Sequence, residues 1–182
     1  MKETISISGV SGVGKDFVMD HLEQQGDMQF ERINLGSLIL QELKTNPWRS
    51  REDNIDQAFI NAEKQAIKNL GMTMLSMYNT YGNNPNSQHS NQMRIQKLPL
   101  NKSLVIESDP DLIVSRRTKD SYFRNRAQNN QQEIAQIQQA STNIAKEIAD
   151  QKNIPFKIFH NNDDINIENI KDFLEDKNEK LY

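Results

Sequence analysis

Apolar positions recur along the chain in short blocks whose period switches between two and about 3.6 residues. Thr4-Ile5-Ser6-Ile7-Ser8 alternates strictly and carries β-branched residues, which predicts a strand. Gly9 to Gly14 is a glycine-rich turn. Residues 16–25 then set Phe17, Val18, His21 and Leu22 at helical spacing, with Gly26 as a stop. Strand, turn and helix in that order make a βα unit. Residues 28–34 read as a second strand, and residues 36–44 as a helix carrying Leu38, Ile39, Leu40 and Leu43. Beyond Pro47 a longer helical pattern covers residues 53–70, with Ile55, Ala58, Phe59, Ala62, Ala66, Ile67 and Leu70 on one face. Residues 72–78 form an apolar run suited to a buried strand. The stretch 82–92, rich in Gly, Asn, Pro, Ser and Gln, reads as a loop.

Residues 102–107 predict a further strand, and Pro110 between two acids opens a helix at its first position. Residues 131–151 form an amide-rich helix with Ile134, Ile137, Ile144 and Ile148 in register. Residues 156–160 are a last strand, and residues 165–173 begin the terminal helix. Helices between five short strands predict an α/β, three-layer αβα fold with a parallel five-stranded sheet. No repeat or linker divides the 182 residues, so a single domain over 1–182 is expected.

Composition narrows the function rather than the fold. Asn and Gln supply about a fifth of the residues, and only 35% are apolar, giving a mean hydropathy of -0.80. Periodic apolar residues still run between the amides, so a core is expected. There is no cysteine, which excludes disulfide scaffolds, thiolate metal sites and cysteine nucleophiles. His21, His89 and His160 lack metal-ligand spacing. No apolar run approaches a membrane span, and Met1 to Thr4 lead straight into a strand without a signal-peptide core. A net charge of -3 argues against a nucleic-acid partner. A cytoplasmic protein with no membrane partner is expected; a homo-oligomer is left open.

The candidate chemistry begins at Gly9-Val10-Ser11-Gly12-Val13-Gly14-Lys15, which fits G-x-x-x-x-G-K. Glycines allow a backbone to fold round a phosphate with its N–H groups inward, and the following helix adds the partial positive charge of its N-terminus. Lys15 is expected to follow the transferring phosphoryl group. A Ser or Thr usually comes next, with its hydroxyl on magnesium; here Asp16 and Phe17 follow. Asp16 reads either as a magnesium ligand or as an acid that favours the helix start.

A second signal is Arg116-Arg117, followed by Arg124 and Arg126. Four arginines within about a dozen residues of an acidic chain suit the charge on a transferring phosphoryl group, if they close after substrate enters. A solvated basic turn is the plain alternative.

With these motifs in place, the chain resembles the archaeal-type adenylate kinases, within the P-loop nucleoside monophosphate kinases. Besides the opening loop, Asn34-Leu35-Gly36-Ser37 is similar to the start of that family's monophosphate-binding region. Arg51-Glu52-Asp53 stands where the family has an arginine-acid pair, and Asn79-Thr80-Tyr81 resembles its Asp-Thr-His. Leu98-Pro99-Leu100 is similar to an element near the nucleotide base, and Arg116 to Arg126 resembles the lid. The chain departs from the pattern at Asn79, at Tyr81 and at Ile55, where an acid, a histidine and an arginine would stand.

The resemblance implies a diverged member with a lid over approximately 117–130 and an acceptor-binding region over approximately 34–70. It implies ATP-dependent phosphoryl transfer to a nucleoside monophosphate, AMP first, with nucleotides as partners and ATP and Mg2+ as cofactors. Gly9, Val10, Ser11, Gly12, Val13, Gly14, Lys15, Asp16 and Phe17 would bind ATP, with Asp16 on the metal. Gly36, Ser37, Arg51, Asn79 and Thr80 would hold the acceptor; Lys15, Arg117, Arg124 and Arg126 would act in catalysis. The alternatives are a kinase of another small metabolite and a nucleotide-binding protein with little turnover.

Overall fold

In the computed structural model, the first strand of the chain becomes the centre of the sheet. The structure describes residues 2–24, 28–77, 85–120, 130–162 and 165–175, with side chains described for all of these but 85–90 and 120. The elements are β1 (Glu3–Ser8), α1 (Lys15–Gln24), β2 (Phe30–Asn34), α2 (Leu35–Thr45), α3 (Arg51–Lys68) and β3 (Met72–Met77). After them come α4 (Pro85–Lys97), β4 (Lys102–Glu107), α5 (Pro110–Asp120), α6 (Gln131–Lys152), β5 (Phe156–His160) and α7 (Ile167–Glu175). The strands lie in the order β2-β3-β1-β4-β5, all parallel, as the alternation of strands and helices predicted.

Helices cover both faces. Ile5, Ile7, Met74, Leu104 and Ile106 face one side, packed with Val18, Met19 and Leu22 of α1 and Ile170, Phe173 and Leu174 of α7. Leu75 and Met77 face the other, among side chains of α2, α3, α4 and α6. The strict alternation in β1 would ordinarily mark one solvated face. Here Thr4, Ser6 and Ser8 are buried as well. Ser6 Oγ donates to Ser103 Oγ at 3.0 Å, so the polar stripe is satisfied inside the protein. No helix among the described residues is long and apolar enough to cross a membrane.

The segment 82–92 corrects the expectation of a loop, because a helix starts at Pro85 and runs to Lys97. Its sequence hides it: Ile95 is its buried apolar anchor among the described side chains, Leu98 is buried just past its end, and polar residues dominate the rest. Ion pairs do what an apolar stripe would do elsewhere. Arg94 of α4 donates through Nε to Asp56 at 2.6 Å and through Nη2 to Glu52 at 2.8 Å, both on α3. Burial works against the charge of Arg94, but the bonds to Asp56 and Glu52 outweigh it and hold the guanidinium above its ordinary pKa. Gln92 donates to Glu147 of α6 at 2.9 Å on the other flank.

Other boundaries differ by a residue or two for local reasons. Ser50 caps α3 by accepting from the backbone of Asp53 at 3.1 Å, which makes Arg51 the first helical residue. Asn34 caps α2 in the same way, accepting from Ser37 N at 3.0 Å. Asn130 and Glu133 form a reciprocal capping box at the start of α6.

Candidate active site

All five strands run the same way, so their C-terminal ends share one edge, and α1 begins at that edge directly after the glycine turn. The turn needs its glycines where the backbone leaves the common regions. Gly14 has φ of 97°, and a Cβ there would run into Nδ2 of Asn161. Gly9 has φ of 145°, and a Cβ there would run into the carbonyl oxygen of Ile106 in β4. Close approach of two strand ends, and not loop flexibility, fixes these residue types.

Side chains grip the loop by its carbonyl oxygens. Lys15 is buried and donates through Nζ to Gly9 O at 2.7 Å and Val10 O at 3.1 Å. Arg117, near the end of α5, donates through Nε to Ser11 O at 2.7 Å. Its stem lies against Gly12, where a Cβ would stand 3.0 Å from its Cγ. The structure therefore brings Arg117 onto the loop formed by residues 9–15. In a trans peptide the C=O of one residue and the N–H of the next point to opposite sides. Holding Ser11 O thus directs the N–H of Gly12 away from Arg117.

Sequence reasoning passed over the corner that holds the loop from the β5 side. Asn161, the residue after β5, donates through Nδ2 to Val13 O at 2.8 Å. Its own N–H donates to Glu107 O at 2.8 Å, and its carbonyl accepts from Ser108 Oγ at 2.7 Å and Arg116 Nη2 at 3.0 Å. Gln138 of α6 faces Ser108, its Oε1 accepting from Ser108 N and its Nε2 donating to Ser108 O, both at 3.2 Å. The one signal available in the sequence was a polar residue following a strand at the C-terminal edge of a parallel sheet.

The remaining predicted residues divide into two groups. Asp16 and Phe17 occupy the first turn of α1, exposed beside the buried Lys15, and the Phe17 ring lies 4.0 Å from that of His21. Gly36 and Ser37 lie in the first turn of α2, after the end of β2, and Arg51 is exposed at the start of α3. Asn79, Thr80, Arg124 and Arg126 lie outside the described residues, as does most of the expected lid; residues 117–120 belong to α5. Among the described residues no three His, Asp or Glu side chains gather as a metal site.

No family model matches the chain. No curated protein matches it in sequence. Solved structures do match its shape. Shikimate kinase from Acinetobacter baumannii, solved with shikimate, superposes with a TM-score of 0.57 over 94% of this chain and 92% of that one. The tunicamycin resistance protein of Deinococcus radiodurans superposes with a TM-score of 0.55 over 85% of this chain and 97% of that one. This chain has the P-loop kinase fold. At 14% identity to each, the likeness is one of fold.

Proposed function

We propose that this chain transfers the terminal phosphoryl group of ATP to a small acceptor, with AMP or another nucleoside monophosphate as the first candidate. The observation that carries the reading is the glycine loop before α1, gripped at Gly9, Val10 and Ser11 by Lys15 and Arg117. Backbone N–H groups, a helix N-terminus and two cations converging on one loop suit a polyphosphate better than any neutral ligand. In the transfer, the bond from the γ-phosphorus to the bridging oxygen breaks and a bond to an acceptor oxygen forms, leaving ADP. Positioning and electrostatics carry such a step.

Each residue then has a part. Lys15 shifts from the loop carbonyls to the incoming phosphates. Gly36, Ser37, Arg51, Asn79 and Thr80 form the acceptor side, and Arg124 and Arg126 close over the transferring group as a lid. Magnesium would be held by Asp16 together with the phosphates, and it would neutralise charge as transfer proceeds. A cytoplasmic location accords with this reading.

A second reading, a kinase of another small metabolite, draws support from the superposition with shikimate kinase over 94% of the chain. Chemistry separates the two. A monophosphate oxygen is already ionised, whereas an alcohol must lose a proton to a base during transfer. ATP consumption assayed with AMP, other monophosphates and a panel of hydroxy acids decides between them. Turnover only with AMP supports the first reading, and turnover only with a hydroxy acid supports the second. No acceptor-dependent turnover with any of them overturns the kinase reading.

A further inference from the structure

We infer that Asn161 is a positioning residue for the phosphate loop, a strut that sets the direction of the Gly14 N–H toward a bound polyphosphate. The inference rests on the reading of that loop as a triphosphate site and goes beyond it by adding a residue from the far end of the chain. Asn161 is 4% exposed, and its carboxamide spends its donor on Val13 O at 2.8 Å. Because the Val13–Gly14 peptide is planar, fixing the Val13 oxygen on the Asn161 side turns the Gly14 N–H to the opposite side. Gly14 is the last residue before Lys15 and α1, so that N–H stands beside the backbone donors of the first helical turn.

The strut is itself held from three directions. Its backbone N–H bonds to the end of β4 at Glu107, and its backbone oxygen takes Ser108 Oγ and Arg116 Nη2. Those bonds use main-chain atoms of Asn161 and survive any change of its side chain. The side chain has a separate task, reaching across to Val13. The approach is close, since a Cβ on Gly14 would run into Nδ2. Arg116 and Arg117 are consecutive, one on Asn161 and one on Ser11. The end of α5 therefore holds both flanks of the loop.

The test measures binding of Mg-ATP and of magnesium tripolyphosphate, which has phosphates and no base, to wild type and to Asn161→Ala by calorimetry. Loss of one oriented, charge-assisted N–H should weaken both ligands about tenfold or more, and by similar factors. Thermal unfolding checks that the variant is folded. If Asn161→Ala does not fold, the uncharged and similarly sized Asn161→Leu replaces it; this approximates the shape, removes the donor and adds no charge. ATP weakened with tripolyphosphate unchanged would place Asn161 on the base and overturn the strut. Unchanged binding of both ligands in a folded variant would overturn it too, leaving the triphosphate reading intact. Wild type that binds neither ligand would overturn that reading, and the strut with it.

Discussion

Arg117 Nε donates to the carbonyl oxygen of Ser11 at 2.7 Å across 106 residues of sequence, so a side chain expected in a lid grips the backbone of the glycine loop itself. A contact that shapes the loop backbone serves ground-state binding as well as the transition state. Arg117→Ala should therefore weaken ATP binding about five- to tenfold without acceptor, and lower kcat/KM by at least as much. Calorimetry with ATP alone checks this. An unchanged Kd with a reduced kcat would return Arg117 to a role in the transition state alone.

On the proposed function, Lys15→Ala should lower phosphoryl transfer about a hundred- to a thousandfold, because the charge proposed to meet the transferring group is lost. Lys15 is 7% exposed and bonded to two loop carbonyls, so the variant also releases Gly9 O and Val10 O. A small fall in thermal stability should accompany the loss of rate. Wild-type turnover in a folded Lys15→Ala protein would remove the loop from the mechanism.

Asp16→Ala should raise the magnesium concentration needed for half-maximal activity, and Asp16→Thr should partly restore it. The exposed position of Asp16, one residue beyond the buried Lys15, leaves its carboxylate accessible to an ion on the phosphates. A magnesium titration identical for both variants and wild type would reduce Asp16 to a favourable charge at the start of α1.

Gly14→Ala should cost stability and binding together. Its φ of 97° penalises a side chain by about 1–2 kcal/mol, and the new methyl would displace the Asn161 carboxamide. The urea midpoint should fall by a corresponding amount, with ATP affinity falling in the same variant. A midpoint equal to wild type would show that the loop relaxes to accept the methyl.

Arg94→Ala tests whether ion pairs seat α4. Glu52 and Asp56 are half exposed while Arg94 is 11% exposed, so the loss should be about 1 kcal/mol and should shrink in 1 M salt. Urea unfolding at two salt concentrations measures both. A loss that salt does not change would mean that the buried stem of Arg94 matters through packing, not charge.

The sequence made the centre of the sheet legible because β1, β3 and β4 are compact apolar or β-branched runs and the breaks around them carry Gly, Pro or Asn. The glycine loop was legible for the same reason that it works: few other sequences fold that tightly between a strand and a helix. α4 was not legible, because Arg94, Gln92 and their acidic partners hold it where apolar periodicity gives no cue. Asn161 was not legible either. Its role depends on which strand ends become neighbours, and no local pattern encodes that β5 closes the edge beside β4. Burial of the alternating serines in β1 was hidden likewise, since a period of two does not say what covers the polar face.

The bond from Asn161 to Val13 spans 148 residues, and β1 pairs in register with strands that begin at Met72 and Lys102. A chain leaving the ribosome thus emits the glycine loop long before β5, and cannot brace it until β5 has emerged. Such long-range pairing makes folding slow. If the loop binds nucleotide as proposed, binding should accordingly be absent from nascent chains halted before residue 161 and require that β5 has emerged.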